Sequence, residues 1–363
     1  MSGHRISSAW PLAGLYASLI VYASLYPFTD WRSQGIPPWA FFQAPWPRYW
    51  TGFDVLSNLL GYIPVGMLLA LAAFRSGWRG WSGLAGVLLP CCLSLLMEAG
   101  QTYLPQRVPS DVDWLLNTAG AAIGAGLALL LLRLRVLGSW EHFREKWLVQ
   151  DTQGALLLLL LWPFATLYPA PVPFGLGQFW LRLDNFLRQQ LEGTPFLAWL
   201  PQPEQFPPLS LLMQALLVGL CVWAPLLLLY AVCRHPRQRA PVALGFAAVV
   251  VLAGALSAAM TYGPEHAWDW LSPPVWSGLL LAAVLALVGV FMAHRTCALF
   301  SLLAWGFVLG VLNRSPDSAY FAESLDIWEQ GRFIRFHGLS QWLGWLWPCA
   351  ALWVAGRLAL RRA

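Results

Sequence analysis

Charged residues are scarce in this 363-residue chain. Asp, Glu, Lys and Arg make up only 11% of it, and 58% of the residues are hydrophobic. Soluble domains carry roughly 25% charged residues. A chain with so little charge cannot cover the surface of a water-soluble protein of this length. The composition therefore excludes a soluble enzyme and predicts a protein that lies in a membrane.

Cysteine is also rare, and the cysteines are not spaced for metal binding. All lie inside apolar runs, and the sequence has no CxxC or Cys/His pattern of a metal site. A disulfide framework would need cysteines in exported loops. We expect small buried apolar residues here, and we predict neither a metal nor another cofactor. The six are Cys91, Cys92, Cys221, Cys233, Cys297 and Cys349.

Long apolar runs are abundant instead. A membrane-spanning helix needs about 20 mostly apolar residues, and ten runs approach this length, the fifth and ninth being short. No small-residue cleavage site follows the first run, which predicts a retained helix rather than a signal peptide. The expected fold is all-α, a polytopic transmembrane bundle of about ten helices. The runs are residues 10–28, 55–74, 81–101, 114–134, 155–171, 208–233, 242–262, 274–293, 296–312 and 339–358.

Basic residues lie in short clusters between these runs. The net charge of +5 would suit a nucleic-acid partner, but this clustering favours membrane orientation, so no nucleic acid is predicted. Lys and Arg concentrate in short cytoplasmic loops. Alternating the connections from an inner N-terminus puts 14 of the 22 Lys and Arg on the inner side. We therefore predict a multi-pass protein of the bacterial inner membrane with both termini in the cytoplasm.

Three short segments recur in the same order and predict an internal repeat. The copies begin four helices apart, an even number, so both would have the same orientation in the membrane, as in parallel repeats. In the second copy Thr261 takes the place of Glu98, which suggests one working unit and one degenerate unit. The echoed pairs are residues 22–27 with 164–169, 93–97 with 256–260, and 113–115 with 269–271.

The predicted domain organisation follows from this repeat. We expect the outer connections at residues 30–51 and 171–206, rich in Pro, Trp and Phe, to lie on the membrane surface. The predicted domains are a four-helix unit at 1–137, a cytoplasmic connector at 138–153, a second, degenerate four-helix unit at 154–295, and a two-helix tail with a periplasmic loop at 296–363. The connector is either an interfacial helix or a solvated link.

Polar residues in the first unit form a pattern of carboxyl–amide pairs. Three predicted helices each carry one pair near their outer end, at spacings that put both members on one helix face. Arg107 lies in the short connector between the third and fourth helices. The pairs are Asp54 with Asn58, Glu98 with Gln101, and Asp113 with Asn117.

Two interpretations of these pairs remain open. Polar groups are costly in hydrocarbon unless they have partners, so Glu98 should face the bundle interior. Arg107 would then pair with Glu98 or Asp113, and the set would form an outward-facing polar pocket. In the alternative, the residues cap helix ends and hold helices together, which is favoured for Asp54 and Asp113 at helix N-termini.

The order and spacing of nine residues resemble the VanZ family of membrane proteins. The pattern runs as an Asn followed by Pro-x-Gly, then Glu-x-x-Gln, an Arg, and finally Asp-x-x-x-Asn-x-x-Gly. The resemblance covers about residues 10–137. The residues that carry it are Asn58, Pro64, Gly66, Glu98, Gln101, Arg107, Asp113, Asn117 and Gly120.

This resemblance implies a role in the cell envelope rather than a particular reaction. The family is named for an accessory factor in resistance to the glycopeptide teicoplanin. The candidate function is to bind or handle an envelope lipid, a lipid-linked glycan, a peptidoglycan precursor or a polysaccharide. The alternatives are an intramembrane enzyme with Glu98 as general base and Arg107 as anion clamp, a proton-coupled transporter with Glu98 as proton site, and an envelope assembly scaffold. Protein partners are left open.

Overall fold

The computed structural model describes residues 9–26, 28–43, 52–134, 143–149, 152–201, 207–315, 324 and 334–360. Helices account for most of them, and within these ranges there is no strand beyond one isolated bridge between Leu148 and Cys233. The chain divides into an N-terminal unit, Met1–His142, and a C-terminal unit, Phe143–Ala363. Each unit is described by itself.

Eight helices of the described chain contain a stretch long and apolar enough to cross a membrane. Helices α1 and α5 are apolar but shorter, at 17 and 13 residues, while the run predicted as short at 296–312 lies in a helix of 19 residues. The expected polytopic all-α fold is confirmed. The helices are α1 Ala9–Leu25, α2 Gly52–Arg75, α3 Ser82–Gln101, α4 Asp111–Arg133, α5 Gln153–Ala165, α6 Trp180–Leu191, α7 Leu211–Val232, α8 Arg239–Tyr262, α9 Pro273–Val290, α10 His294–Leu312 and α11 Ile334–Leu360.

Glycines hold α2 and α4 in close contact in the N-terminal unit. A Cβ atom at Gly124 would lie 2.0 Å from the carbonyl oxygen of Ile63, and one at Gly120 would lie 2.1 Å from that of Leu59. Lipid tails are as apolar as the side chains, so the hydrophobic effect does not drive membrane helices together. Their association relies instead on small residues that let the backbones approach closely. This contact fixes the beginning of α4 beside the beginning of α2, where the candidate polar residues lie.

Helix α7 forms the centre of the C-terminal unit. It packs against α9 and α10, with α5, α8 and α11 completing the surroundings. The side chains of Leu217 and Val218 are buried, and so are all those from Cys221 to Leu228. A helix that is apolar on all sides suits this central position.

The beginning of the 171–206 connection does not lie on the surface as predicted. Val172, Phe174 and Leu176 are only 3%, 4% and 2% exposed, and Phe174 stacks on Trp162 with ring centroids 5.6 Å apart. Non-helical backbone is tolerated among membrane helices where protein surrounds it. The prediction was wrong for this stretch because its Pro and Phe content suits a buried extended segment as well as a surface loop.

Asn313 supplies the hydrogen bonds that this extended backbone needs. Its Oδ1 accepts from the backbone N–H groups of Phe179 at 3.1 Å and Trp180 at 2.8 Å. Its Nδ2 donates to the carbonyl of Gly177 at 2.9 Å. One side chain at the end of α10 therefore anchors the segment where it leaves the core.

Helix α6 continues the same connection and is strongly amphipathic. Trp180, Leu183 and Phe186 on its apolar side are exposed. Arg188 and Asp184 form an i, i+4 ion pair at 2.6 Å on the other side. An amphipathic helix between two membrane spans is typical of an interfacial segment.

Candidate functional site

Glu98 is buried at the end of α3, with 3% of its surface exposed. Its Oε2 accepts a hydrogen bond from the backbone N–H of Ser110 at 2.9 Å. Ser110 is also the N-cap of α4, since its hydroxyl accepts from the N–H groups of Val112 and Asp113 at 3.2 and 3.4 Å. The Glu98 carboxyl group therefore ties the end of α3 to the beginning of α4.

Asn58 and Asp113 join α2 to α4 at the same end of the unit. The Nδ2 of Asn58 donates to the Oδ1 of Asp113 at 2.7 Å. Asp113 also lies near the Glu98 carboxyl group. Two carboxyl groups and an amide from three helices therefore meet in one cluster.

Asn117 extends this cluster one turn deeper into α4. Its Nδ2 donates to the hydroxyl of Ser94 at 2.9 Å, and both side chains are buried. The Asn117 Oδ1 is buried without a hydrogen-bond partner among the described residues, and the Tyr62 hydroxyl is buried beside Ser94. Ser94 and Glu98 lie near that hydroxyl. Buried polar atoms are hydrogen-bonded in the large majority of cases. A ligand that supplied a hydrogen bond to this part of the cluster would therefore gain binding free energy.

Gln101 and Arg107 contact the end of α1. The Nε2 of Gln101 donates to the carbonyl of Ser24 at 3.1 Å. The guanidinium of Arg107 donates to the carbonyls of Ala23 at 3.2 Å and Tyr26 at 2.6 Å. A cation at the last carbonyls of a helix complements their partial negative charge. The expected pairing of Arg107 with a carboxyl group is not among the contacts described.

The connection after α1 covers this end of the unit. The N–H of Arg32 donates to the carbonyl of Tyr103 at 3.0 Å, and the Nε2 of Gln34 donates to that of Thr102 at 2.8 Å. The ring of Phe42 meets Trp114 edge-on, with centroids 5.5 Å apart. These bonds hold the described part of the loop against the connector between α3 and α4, next to the polar cluster.

Residues 6–133 match the model of the VanZ/LLP1 family. The match confirms the resemblance predicted from the sequence for the N-terminal third of the chain, and we call Met1–His142 the VanZ-like unit. All nine pattern residues fall inside the matched range. No curated protein and no solved structure matches the chain.

The predicted site residues have different places in the VanZ-like unit. Asn58, Glu98, Asp113 and Asn117 come together in the cluster, whereas Gln101 and Arg107 bind the neighbouring end of α1. Asp54 lies in the first turn of α2, but its side chain is outside the described residues.

Sequence reasoning missed three members of the cluster, namely Tyr62, Ser94 and Ser110. Tyr62 lies four residues after Asn58, and Ser94 lies four residues before Glu98. Helical spacing puts such residues on the same face as the predicted pairs, so this signal could have found two of them. Ser110 contributes its backbone N–H, and its side chain caps the N-terminus of α4. Only the recognition of an N-cap position before α4 would have identified it from the sequence.

The cluster offers several hydrogen-bonding groups. Among the described residues, no group of three or more His, Cys, Asp or Glu side chains is placed to hold a metal ion. A carboxyl group, an amide and a phenol hydroxyl can together accept from and donate to several hydroxyl groups. The Tyr62 side chain lies near Ser94 and Glu98, and Trp114, next to Asp113 in the chain, contacts Phe42.

Proposed function

We propose that the VanZ-like unit binds the hydroxyl-bearing headgroup of an envelope lipid or a lipid-linked glycan at the Glu98 cluster. The observation that carries this is a buried carboxyl group at a helix end close to the buried Asn117 Oδ1, which has no hydrogen-bond partner among the described residues. Purely structural polar groups would be expected to satisfy one another.

The chemistry of the cluster favours hydroxyl groups over phosphate. Its ionisable members, Glu98 and Asp113, are both acids, which offer a phosphate no positive charge. Among the described residues Arg107 donates to the backbone of α1, so its charge is partly engaged there. Carboxyl oxygens accept well from sugar or glycerol hydroxyls, and the neighbouring aromatic rings suit the apolar face of a sugar. Peptidoglycan precursors and polysaccharide carrier lipids both present such groups, and either would connect the protein to cell-envelope synthesis or glycopeptide resistance.

The cluster would face the periplasm if the protein lies in the inner membrane with both termini in the cytoplasm. The distribution of Lys and Arg supports this orientation. Fusions of a reporter that is active only in the periplasm test it. We expect an inactive reporter at the C-terminus and an active one inserted at residues 105–106, in the α3–α4 connector. The opposite pattern would put the cluster on the cytoplasmic side and remove its access to periplasmic glycans.

Lipid extraction from the purified protein, followed by mass spectrometry, tests the binding proposal. Wild-type protein should retain a hydroxyl-rich lipid above its proportion in the membrane. Glu98→Gln keeps the shape but replaces one carboxyl oxygen with an NH₂ donor, and it should lose most of that enrichment. Glu192→Gln, at an exposed carboxyl group of the C-terminal unit, is the matched control and should behave as wild type. Equal recovery from all three proteins would contradict the proposal.

A further inference from the structure

Two segments that carry basic residues pair with each other at one end of the C-terminal unit. Residues 143–149 pair with the chain that follows α7: the N–H of Val149 donates to the carbonyl of Val232 at 3.0 Å, and that of Arg234 to the carbonyl of Trp147 at 2.8 Å. The Nε2 of Gln238 donates to the carbonyl of Lys146 at 3.0 Å. We call residues 143–149 and 232–238 the basic shelf. These bonds make it an ordered part of the unit.

A cavity of about 360 Å³ opens beside the basic shelf. Small-molecule sites have volumes of roughly 300–1,000 Å³, so this space suits a lipid headgroup. Its described lining includes the side chains of Arg144 and Arg234 together with Thr152 and Gln153. Two arginines, one from each segment of the shelf, therefore share one cavity.

The two arginines have donors to spare. Arg234 donates from Nη1 to the carbonyl of Glu145, which uses one of its five N–H groups. Within the described chain, the Arg144 guanidinium takes part in no hydrogen bond or ion pair. Glu145 also lines the cavity, but its side chain is exposed, and exposed Lys146 and Arg237 lie on the same shelf. Among the described residues that line the cavity, two are arginines and one is a glutamate, so their net charge is positive.

Helix α5 begins at this cavity and adds a further attraction for an anion. Its N-cap, Thr152, makes no side-chain cap bond, and its first turn holds no acidic residue. The first N–H groups of a helix have no partner inside the helix, and its N-terminus carries partial positive charge. The cavity thus combines two guanidinium groups with a helix N-terminus, the combination that binds phosphate groups in proteins.

The shelf also lies where lipid headgroups would be found. It joins the start of α5, the end of α7 and the start of α8, and the last two contain membrane spans. The rings of Phe143 and Trp147 stack with centroids 5.2 Å apart, and aromatic residues are enriched at the membrane–water boundary. We propose that this cavity binds the phosphate group of an anionic membrane lipid. The proposal does not depend on the function of the VanZ-like unit.

Native mass spectrometry of the purified protein tests this site. The probe is an equimolar mixture of phosphatidylglycerol, which is anionic, and phosphatidylcholine, which is zwitterionic. Wild-type protein should bind phosphatidylglycerol preferentially. Arg144→Gln should weaken that binding about tenfold, as expected for loss of one charge-assisted contact. Arg295→Gln is the matched control, because Arg295 is exposed near the start of α10 and is not among the described residues around the cavity.

Three results would overturn the proposal. The first is equal binding of the two lipids by wild-type protein, which needs no variant and decides the matter even if Arg144→Gln fails to fold. The second is an equal loss of binding in Arg144→Gln and Arg295→Gln, which would indicate general attraction to a basic surface. The third is displacement of phosphatidylglycerol by millimolar inorganic phosphate at equal affinity, which would assign the cavity to a free anion.

Discussion

Each unit buries one charged side chain among the residues described, and the two differ in what surrounds it. Glu98 of the VanZ-like unit lies among side chains from three helices, close to the Asn117 Oδ1, which has no partner among the described residues. Arg239 of the C-terminal unit is directed at backbone: its Nη1 donates to the carbonyls of Gly289 at 3.2 Å, Val290 at 2.9 Å and Met292 at 2.5 Å. A cation on the end of α9 is a structural cap. The Arg239 Nε also lacks a partner among the described residues, but three backbone carbonyls hold its guanidinium. The Glu98 carboxyl group has one such bond, from the N–H of Ser110, and is the better candidate for binding.

Positions that echo Glu98, Ser94 and two neighbouring residues of the VanZ-like unit line a small cavity in the C-terminal unit. The cavity measures about 60 Å³, and its described lining carries hydroxyl groups and aromatic rings but no charged side chain. The first copy has the carboxyl group of Glu98 where the second has Thr261. This difference fits one working unit and one degenerate unit. The repeat itself stays a prediction. The echoed pairs are Ser24 with Thr166, Ser94 with Ser257, Glu98 with Thr261, and Trp114 with Trp270.

The close helix pair in the VanZ-like unit should give the largest effect. In Gly124→Ala the added methyl group would lie 2.0 Å from the Ile63 carbonyl oxygen, so α2 and α4 must separate. We expect a loss of about 3 kcal/mol or more in the free energy of unfolding. Thermal unfolding in detergent would measure it. Gly126→Ala on the same helix meets nothing within 4 Å and should be neutral or slightly stabilising. Similar stability of the two variants would show that the helices are not in close contact.

Arg239 should give the next largest effect if it is a structural cap. Arg239→Met removes its hydrogen bonds to the end of α9, and we expect a loss of about 2–3 kcal/mol, since a hydrogen bond to a charged group contributes roughly 1.5–3 kcal/mol. Arg237→Met is the control, because Arg237 is exposed on the basic shelf. The same unfolding assay applies. If instead Arg239→Met leaves stability unchanged but alters ligand binding, the contrast between the two buried charges fails.

A smaller difference should separate the echoed serines. Ser94→Ala leaves the Asn117 amide without its 2.9 Å acceptor in a buried position, at a cost of about 1–3 kcal/mol. Ser257 only donates to the Leu167 carbonyl at 3.4 Å, a long bond, so Ser257→Ala should change stability by less than about 0.5 kcal/mol. Equal losses in the two variants would mean that both copies keep a polar network of the same strength.

The apolar runs predicted the helices well, because length and hydropathy alone decide whether a segment can cross a membrane. Helical spacing also predicted that Asn58, Glu98, Asp113 and Asn117 share a region. The acceptors of Arg107 could not be predicted, because backbone carbonyls leave no mark in the sequence. The buried course of Val172 and Phe174 was missed for a related reason: Asn313, which supports that segment, lies more than 130 residues away along the chain.

Cryo-electron microscopy of the wild-type protein with its co-purified lipid tests the Glu98 cluster most directly. The predicted result is density for a hydroxyl-bearing headgroup within hydrogen-bond distance of the Glu98 carboxyl group, the Asn117 Oδ1 and the Tyr62 hydroxyl. A preparation that retains its lipid by mass spectrometry, yet shows the headgroup elsewhere and the Glu98 side chain in contact with protein alone, would contradict the account.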